Sequence, residues 1–189
     1  MGEIAERYRR RAEAFERKVA AVRPEQWDNQ SPCAKWTAKD VVDHIVMMHG
    51  VMLMPVARKL EPADDPLTAF QEARAAVEDV LDDPVLALTE TDTPTGRLTT
   101  EQHIDQVISD DMVVHGWDLA RATGQDDTMD PDDVERLWAG TAAIPADLME
   151  KFRTPGAFGK GIEVYGPEVE VPADASLQDR LLGLVGRQP

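Results

Sequence analysis

A soluble, mainly α-helical bundle is the fold class the sequence predicts, and three observations carry the prediction. Apolar residues recur at three-and-four spacing through several long segments. Most of those segments open on a cap residue or a cap followed by proline. Extended alternation is confined to a short stretch near the C-terminus. With 189 residues, the expectation is a single domain over 1–189 with a small C-terminal strand/helix addition from about residue 153.

From Ile4 to Val22 the side chains Ile4, Tyr8, Ala12, Phe15, Val19 and Val22 fall on one helix face. Pro24 stops that helix, and PEQWDNQSPCAKW reads as a loop anchored by Trp27 and Trp36. Thr37 opens a second helix, because Thr-Ala-Lys-Asp sets a carboxylate three residues after a hydroxyl and so builds a variant of the capping box. Val41, Ile45, Met48 and Met52 form its inward stripe, and Pro55 bends or ends it by removing a hydrogen bond. Asp65-Pro66 starts a third helix with Leu67, Phe70, Ala73, Val77 and Leu81 inward.

Asp82 to Leu98 is rich in Thr, Pro and Asp and reads as an irregular crossover with room for a short extended piece. Thr99 or Thr100 caps a fourth helix carrying Ile104, Val107, Ile108, Val114, Leu119 and Ala122, and Gly124 stops it. Asp130-Pro131 starts a fifth, with Val134, Leu137, Trp138, Thr141 and Leu148 on one side and Pro145 interrupting its later half. Beyond Phe152, Ile162, Val164, Val169 and Val171 alternate as a strand or hairpin, and Leu177 to Val185 forms a last short helix.

Acidic residues number 36 against 20 basic, a formal charge of -16 that repels phosphate backbones and anionic membrane surfaces. Neither nucleic acid nor membrane is therefore expected as a partner. The local run Arg7, Arg9, Arg10 and Arg11 could meet a small anion, although a solvated helix face accounts for it as well. One cysteine, Cys33, precludes an intrachain disulfide. The charged start MGEIAERYRR argues against a signal peptide, and no apolar run reaches the ~18 residues of a membrane span. The expectation is a cytoplasmic protein, monomeric or homodimeric, acting on a small molecule.

Three polar residues stand on faces that are otherwise apolar. At about 100° per residue, Asp111 and His115 lie about 40° apart around the fourth helix and about 6 Å along it, on the stripe of Val107, Ile108, Val114 and Leu119. His44 falls on the stripe of Val41, Ile45 and Met48 in the second helix. A buried carboxylate without a partner is costly. Two ligands four residues apart plus a third from a facing helix is one way for a bundle to hold a metal. His44, Asp111 and His115 are thus the candidate metal ligands, and three protein ligands leave one position of a tetrahedral zinc open, as in a catalytic site. A core His–Asp hydrogen bond without metal satisfies the same spacing, with Asp110 or Asp118 as alternative partners of His115. His49 and His103 read as surface or internally satisfied histidines, with proton transfer as the secondary reading. Cys33, with Lys35 as its one adjacent cation, reads as an inert, buried thiol.

The segments SPCAKWTAKDVVDHIV, DDMVVHGWDLARATGQ and YGPEVEVPADASLQDRLLGLVGR resemble, in order, the signature regions of an actinobacterial family of metal-binding proteins. That family belongs to the DinB-like superfamily, alongside mycothiol-dependent maleylpyruvate isomerase. The resemblance covers nearly the whole chain, with VHGWDLARATG its most specific part. It implies a DinB-like four-helix bundle with a crossover connection and a small C-terminal addition. It also implies metal ligands at one histidine of the second helix and a pair four apart on a later helix, which match His44, Asp111 and His115. Where the isomerase relatives carry Glu and many DinB-like proteins His, this chain has Asp111.

Together these readings predict a divalent-metal enzyme, with zinc as the expected ion and a low-molecular-weight thiol such as mycothiol as cosubstrate. A zinc-bound thiol is deprotonated and nucleophilic, suited to transfer or isomerisation of a small electrophile. His103 and His49 are the candidates for proton shuttling, and Gly116 and Trp117 for the wall beside the ion. The alternative is a metal-dependent binding module without turnover.

Overall fold

The computed structural model describes residues 2–34, 36–93, 96–157 and 164–189. They cluster into two compact units, Met1–Asp127 and Thr128–Pro189.

The first unit runs α1 (Glu3–Ala20), α2 (Ala38–Leu53), α3 (Pro66–Asp82), the short α4 (Pro84–Ala87), a hairpin of β1 (Glu90–Thr93) and β2 (Gly96–Thr99), α5 (Thr100–Ile104), a π-helical turn over Asp105–Ser109, and α6 (Asp110–Thr123). The caps act where the residues suggest. Thr37 and Asp40 form a reciprocal capping box at α2, Asp65 accepts the Thr68 amide at α3, and Thr99 caps α5 with Gln102 returning the bond. Gly124 closes α6 in the left-handed conformation at φ 67°. Each cap satisfies amides or carbonyls that a helix end leaves open.

Both α1 and α2 pack on α3 and on α6, which places α1 and α2 at opposite corners of a four-helix ring. Tyr8, Phe15, Ile45, Phe70, Ile108 and Leu119 are among the fully buried side chains at its centre. Burial of each large apolar side chain stabilises the bundle by roughly 1.5–3 kcal/mol. The crossover between α3 and α6 contains the antiparallel hairpin, paired Glu90↔Thr99 through Thr93↔Gly96. Strand pairing therefore sits in the crossover. Among the described residues Val164, Val169 and Val171 belong to no strand, and Ile162 lies outside the described residues.

Of the α1 run, Arg10 is exposed, whereas Arg7, Arg9 and Arg11 are taken up by carboxylates of neighbouring elements. Arg7 donates to both oxygens of Asp105 at 2.8 and 2.7 Å, and Arg11, with 3% exposure, donates to Ser109 and Asp110 at 3.0 and 2.6 Å. One turn separates Arg7 from Arg11, and their partners bracket the π-helical turn, so α1 clamps both ends of the irregular segment from which α6 emerges. Arg9 reaches Asp82 of α3.

In the second unit, α7 (Pro131–Ala142) packs on α9 (Leu177–Leu184), with α8 (Ala146–Phe152) between them in sequence. Asp130 caps α7, which ends at Ala142, and Pro145 begins α8 instead of interrupting one long helix. The segment before α9 is held by the Val169 amide donating to the Gly183 carbonyl. Arg180 lies 4.7 Å over the Trp138 ring.

Candidate metal centre

Helix α2 has two packed neighbours, so its buried arc is wider than the stripe its apolar residues trace. His44 and His49, about 140° apart on an ideal helix, occupy its two flanks. On one flank His49 is fully buried, with its ring against Phe70 of α3 and Tyr8 of α1. On the other, His44 meets α6, where its Nε2 lies 3.5 Å from Asp111 Oδ2. The sequence expectation put His44 on the inward stripe and read His49 as a surface or internally satisfied histidine. In the structure His49 is in the core and His44 at its margin with a side chain 20% exposed.

The His44 and His115 ring centroids are 4.9 Å apart, and one potential ligand atom from each of His44, Asp111 and His115 lies within 4.8 Å of the other two. His115 is buried, whereas the Asp111 side chain is 37% exposed. Both lie on α6 beyond the π-helical turn, where regular spacing applies. Asp111 therefore opens toward solvent instead of being sealed in the core, which lowers its desolvation cost and leaves the cluster reachable from outside.

Residue types fit a cation. Two imidazoles and one carboxylate are the donor set of many open zinc sites. The loop between α1 and α2 completes the surroundings. Gln26 and Asn29 donate to the Thr123 and Ala122 carbonyls, securing the loop to the end of α6. Ser31 and Gln30 donate to the Trp36 carbonyl. Trp36 thereby lies against both imidazoles, 4.7 Å from the His44 ring and 5.6 Å from the His115 ring. Trp36, rather than Trp117 or Gly116, walls the candidate site. Trp117 is buried with Arg121 stacked on it, and a Cβ at Gly116 would meet Phe15 and Lys18 of α1.

Asp118 is fully buried and its Oδ2 accepts from His115 Nδ1 at 2.9 Å and from the Cys33 thiol at 3.2 Å. Of the two alternatives weighed for His115, Asp118 is the partner and Asp110 is taken by Arg11. Cys33 is half-buried and hydrogen-bonded, not an enclosed apolar thiol, and Lys35 lies outside the described residues. Position i+7 from Asp111 puts Asp118 on the same line of α6, a signal present in the sequence. Nothing local could have announced Cys33 or Trp36 beside it.

The other two histidines differ. His49 Nδ1 donates to the Ile45 carbonyl at 2.7 Å and Nε2 accepts from the Tyr8 hydroxyl at 2.8 Å. Burial lowers its pKa from 6.5 to about 4, against smaller opposing effects of the Ile45 carbonyl and the Asp111 charge. It is a satisfied core residue with both ring nitrogens engaged. His103 lies on α5, before the π-helical turn, so regular helical spacing does not relate it to Asp111 on α6. It is half-buried, burial lowers its pKa, and no hydrogen bond ties it to another described residue.

Fold and site together define a class: a four-helix bundle that gathers imidazole and carboxylate donors from two facing helices. Residues 8–120 match the family described as mycothiol maleylpyruvate isomerase N-terminal domain, and the chain belongs to that family. The match spans Cys33, His44, Asp111, His115 and Asp118 and ends within the first compact unit. Two uncharacterized proteins from two strains of Mycobacterium tuberculosis are each 29% identical over 184 residues, covering 95% of this chain and 95% of theirs. No solved structure matches significantly. Membership is consistent with the DinB-like superfamily and with the actinobacterial resemblance carried by the motifs.

Proposed function

We propose that His44, Asp111 and His115 hold one divalent metal ion, zinc in the first instance, and that the protein is a mycothiol-type thiol-dependent transferase or isomerase acting on a small electrophile. The observation that carries this reading is the convergence of three ligand atoms within 4.8 Å from two helices of a family whose name links mycothiol and maleylpyruvate isomerisation. A bound divalent ion supplies the Lewis acidity that deprotonates a coordinating thiol and makes it nucleophilic. The chain's own residues then bind and orient. Trp36 offers an aromatic surface beside both imidazoles, and the partial exposure of Asp111 marks the side from which a small molecule enters. Of the two histidines considered for proton transfer, His103 remains the candidate, because His49 already uses both nitrogens.

The engagement of His49 favours a second reading, a metal-dependent module that binds a small molecule without turnover. One experiment separates the two. Protein isolated without chelator is assayed for stoichiometric metal, then for isomerisation of maleylpyruvate in the presence of mycothiol, with His44→Ala as control. Metal near one equivalent and turnover lost in His44→Ala support the enzyme. Metal and mycothiol binding without product support the module. Wild-type protein without stoichiometric metal sinks both.

A further inference from the structure

A metal-ligating histidine must present a lone pair, and in neutral imidazole one nitrogen alone has it. Which nitrogen this is depends on what the other one bonds. For His115 the structure supplies an answer. Asp118 has no exposed surface and lies one turn beyond His115 on α6, and its Oδ2 is 2.9 Å from Nδ1. A carboxylate accepts and cannot donate, so Nδ1 carries the hydrogen and Nε2 keeps the lone pair. The same oxygen takes the Cys33 thiol at 3.2 Å, from a loop 85 residues away in sequence.

We propose that Asp118 is a positioning residue that locks His115 as its Nδ1–H tautomer with Nε2 available to the ion, and that Cys33 holds Asp118 in place by donating to it. The inference rests on the ligand reading above. Hydrogen-bonded carboxylates behind ligating histidines raise ligand basicity and restrict ring rotation, and removing one typically weakens metal affinity 10–100-fold. A buried carboxylate that gathers donors from separate elements is costly to assemble. Orientation of a functional ring accounts for its placement directly against a candidate ligand. The Cys33 thiol has a matching role: it couples the loop that carries Trp36 to the α6 residue that sets His115.

The test uses full-length protein and two readouts. Long-range proton–nitrogen NMR on metal-free wild type reports the His115 tautomer without any variant. Zinc affinity, measured by chelator competition, is compared among wild type, Asp118→Asn, Asp118→Ala, Cys33→Ser and Cys33→Ala, with circular dichroism verifying the fold. The expected result is an Nδ1–H tautomer in wild type, lost in Asp118→Ala, and zinc binding about 10–100-fold weaker in both Asp118 variants. Cys33→Ser retains affinity because a hydroxyl still donates, and Cys33→Ala falls between. An Nε2–H tautomer in wild type, or unchanged zinc affinity in folded Asp118→Asn, overturns the proposal and leaves the ligand assignment standing. Wild type that binds no zinc overturns the ligand assignment instead, and with it the positioning role.

Discussion

Acid should weaken this protein through His49 in a way that can be separated from every other titration. The folded imidazole resists protonation down to about 4, while the unfolded one takes its proton near the ordinary 6.5. Between those values the unfolded chain binds more protons, so stability rises with pH and is lost as pH falls. It is fully present above 6.5, and the full gap down to about 4 corresponds to roughly 3 kcal/mol at about 1.36 kcal/mol per unit. At about pH 5 some 2 kcal/mol of it is gone. The discriminating perturbation is the double variant Tyr8→Phe/His49→Leu. It removes the titrating ring together with the hydroxyl that donates to it, and no polar atom of the pair is left buried and unmatched. Urea unfolding at about pH 8, 6.5 and 5 would give two stability curves. Wild type should lose about 2 kcal/mol more than the double variant on going from about pH 8 to about pH 5, because the carboxylates contribute equally to both. Parallel curves would refute the burial argument.

Three further outcomes follow from other contacts. Asp105→Asn should cost on the order of 1–3 kcal/mol in chemical denaturation, since it removes the buried charged partner of the Arg7 guanidinium, 12% exposed, and leaves it only the solvent-exposed Glu3, and Arg7→Met/Asp105→Leu should recover most of the loss. Thr37→Ala removes the α2 cap and should lower stability by about 1 kcal/mol, visible as a fall in melting temperature. Gly186→Ala should loosen the second unit by roughly 1–3 kcal/mol. Its φ is +84° and a Cβ would come within 2.6 Å of Gly166, so hydrogen exchange should quicken in that unit and stay unchanged in α1 to α3.

How far the residues announced this protein can be argued from a few of them. Thr37 and Asp40, Asp65 and Pro66, Asp130 and Pro131 and Gly124 act within one turn of the backbone, and each marks the end of a helix as its chemistry implies. Asp111 and His115 share a face because four residues on a regular helix always do. No such rule reaches from His103 to Asp111, because a π-helical turn intervenes, and that irregularity is held by Arg7 and Arg11 from a helix some hundred positions earlier.

The sequence alone therefore marked the long helices, their caps, the mainly α class and the shared face of Asp111 and His115, all matters of local geometry and periodicity. Tertiary structure alone decided that His49 belongs to the core, that Asp118 and not Asp110 takes His115, and that Cys33 and Trp36 of one loop reach the site. Those choices depend on which faces meet across α1, α2, α3 and α6. Side chains distant in sequence compete there for the same few donors and acceptors, a competition that periodicity does not encode.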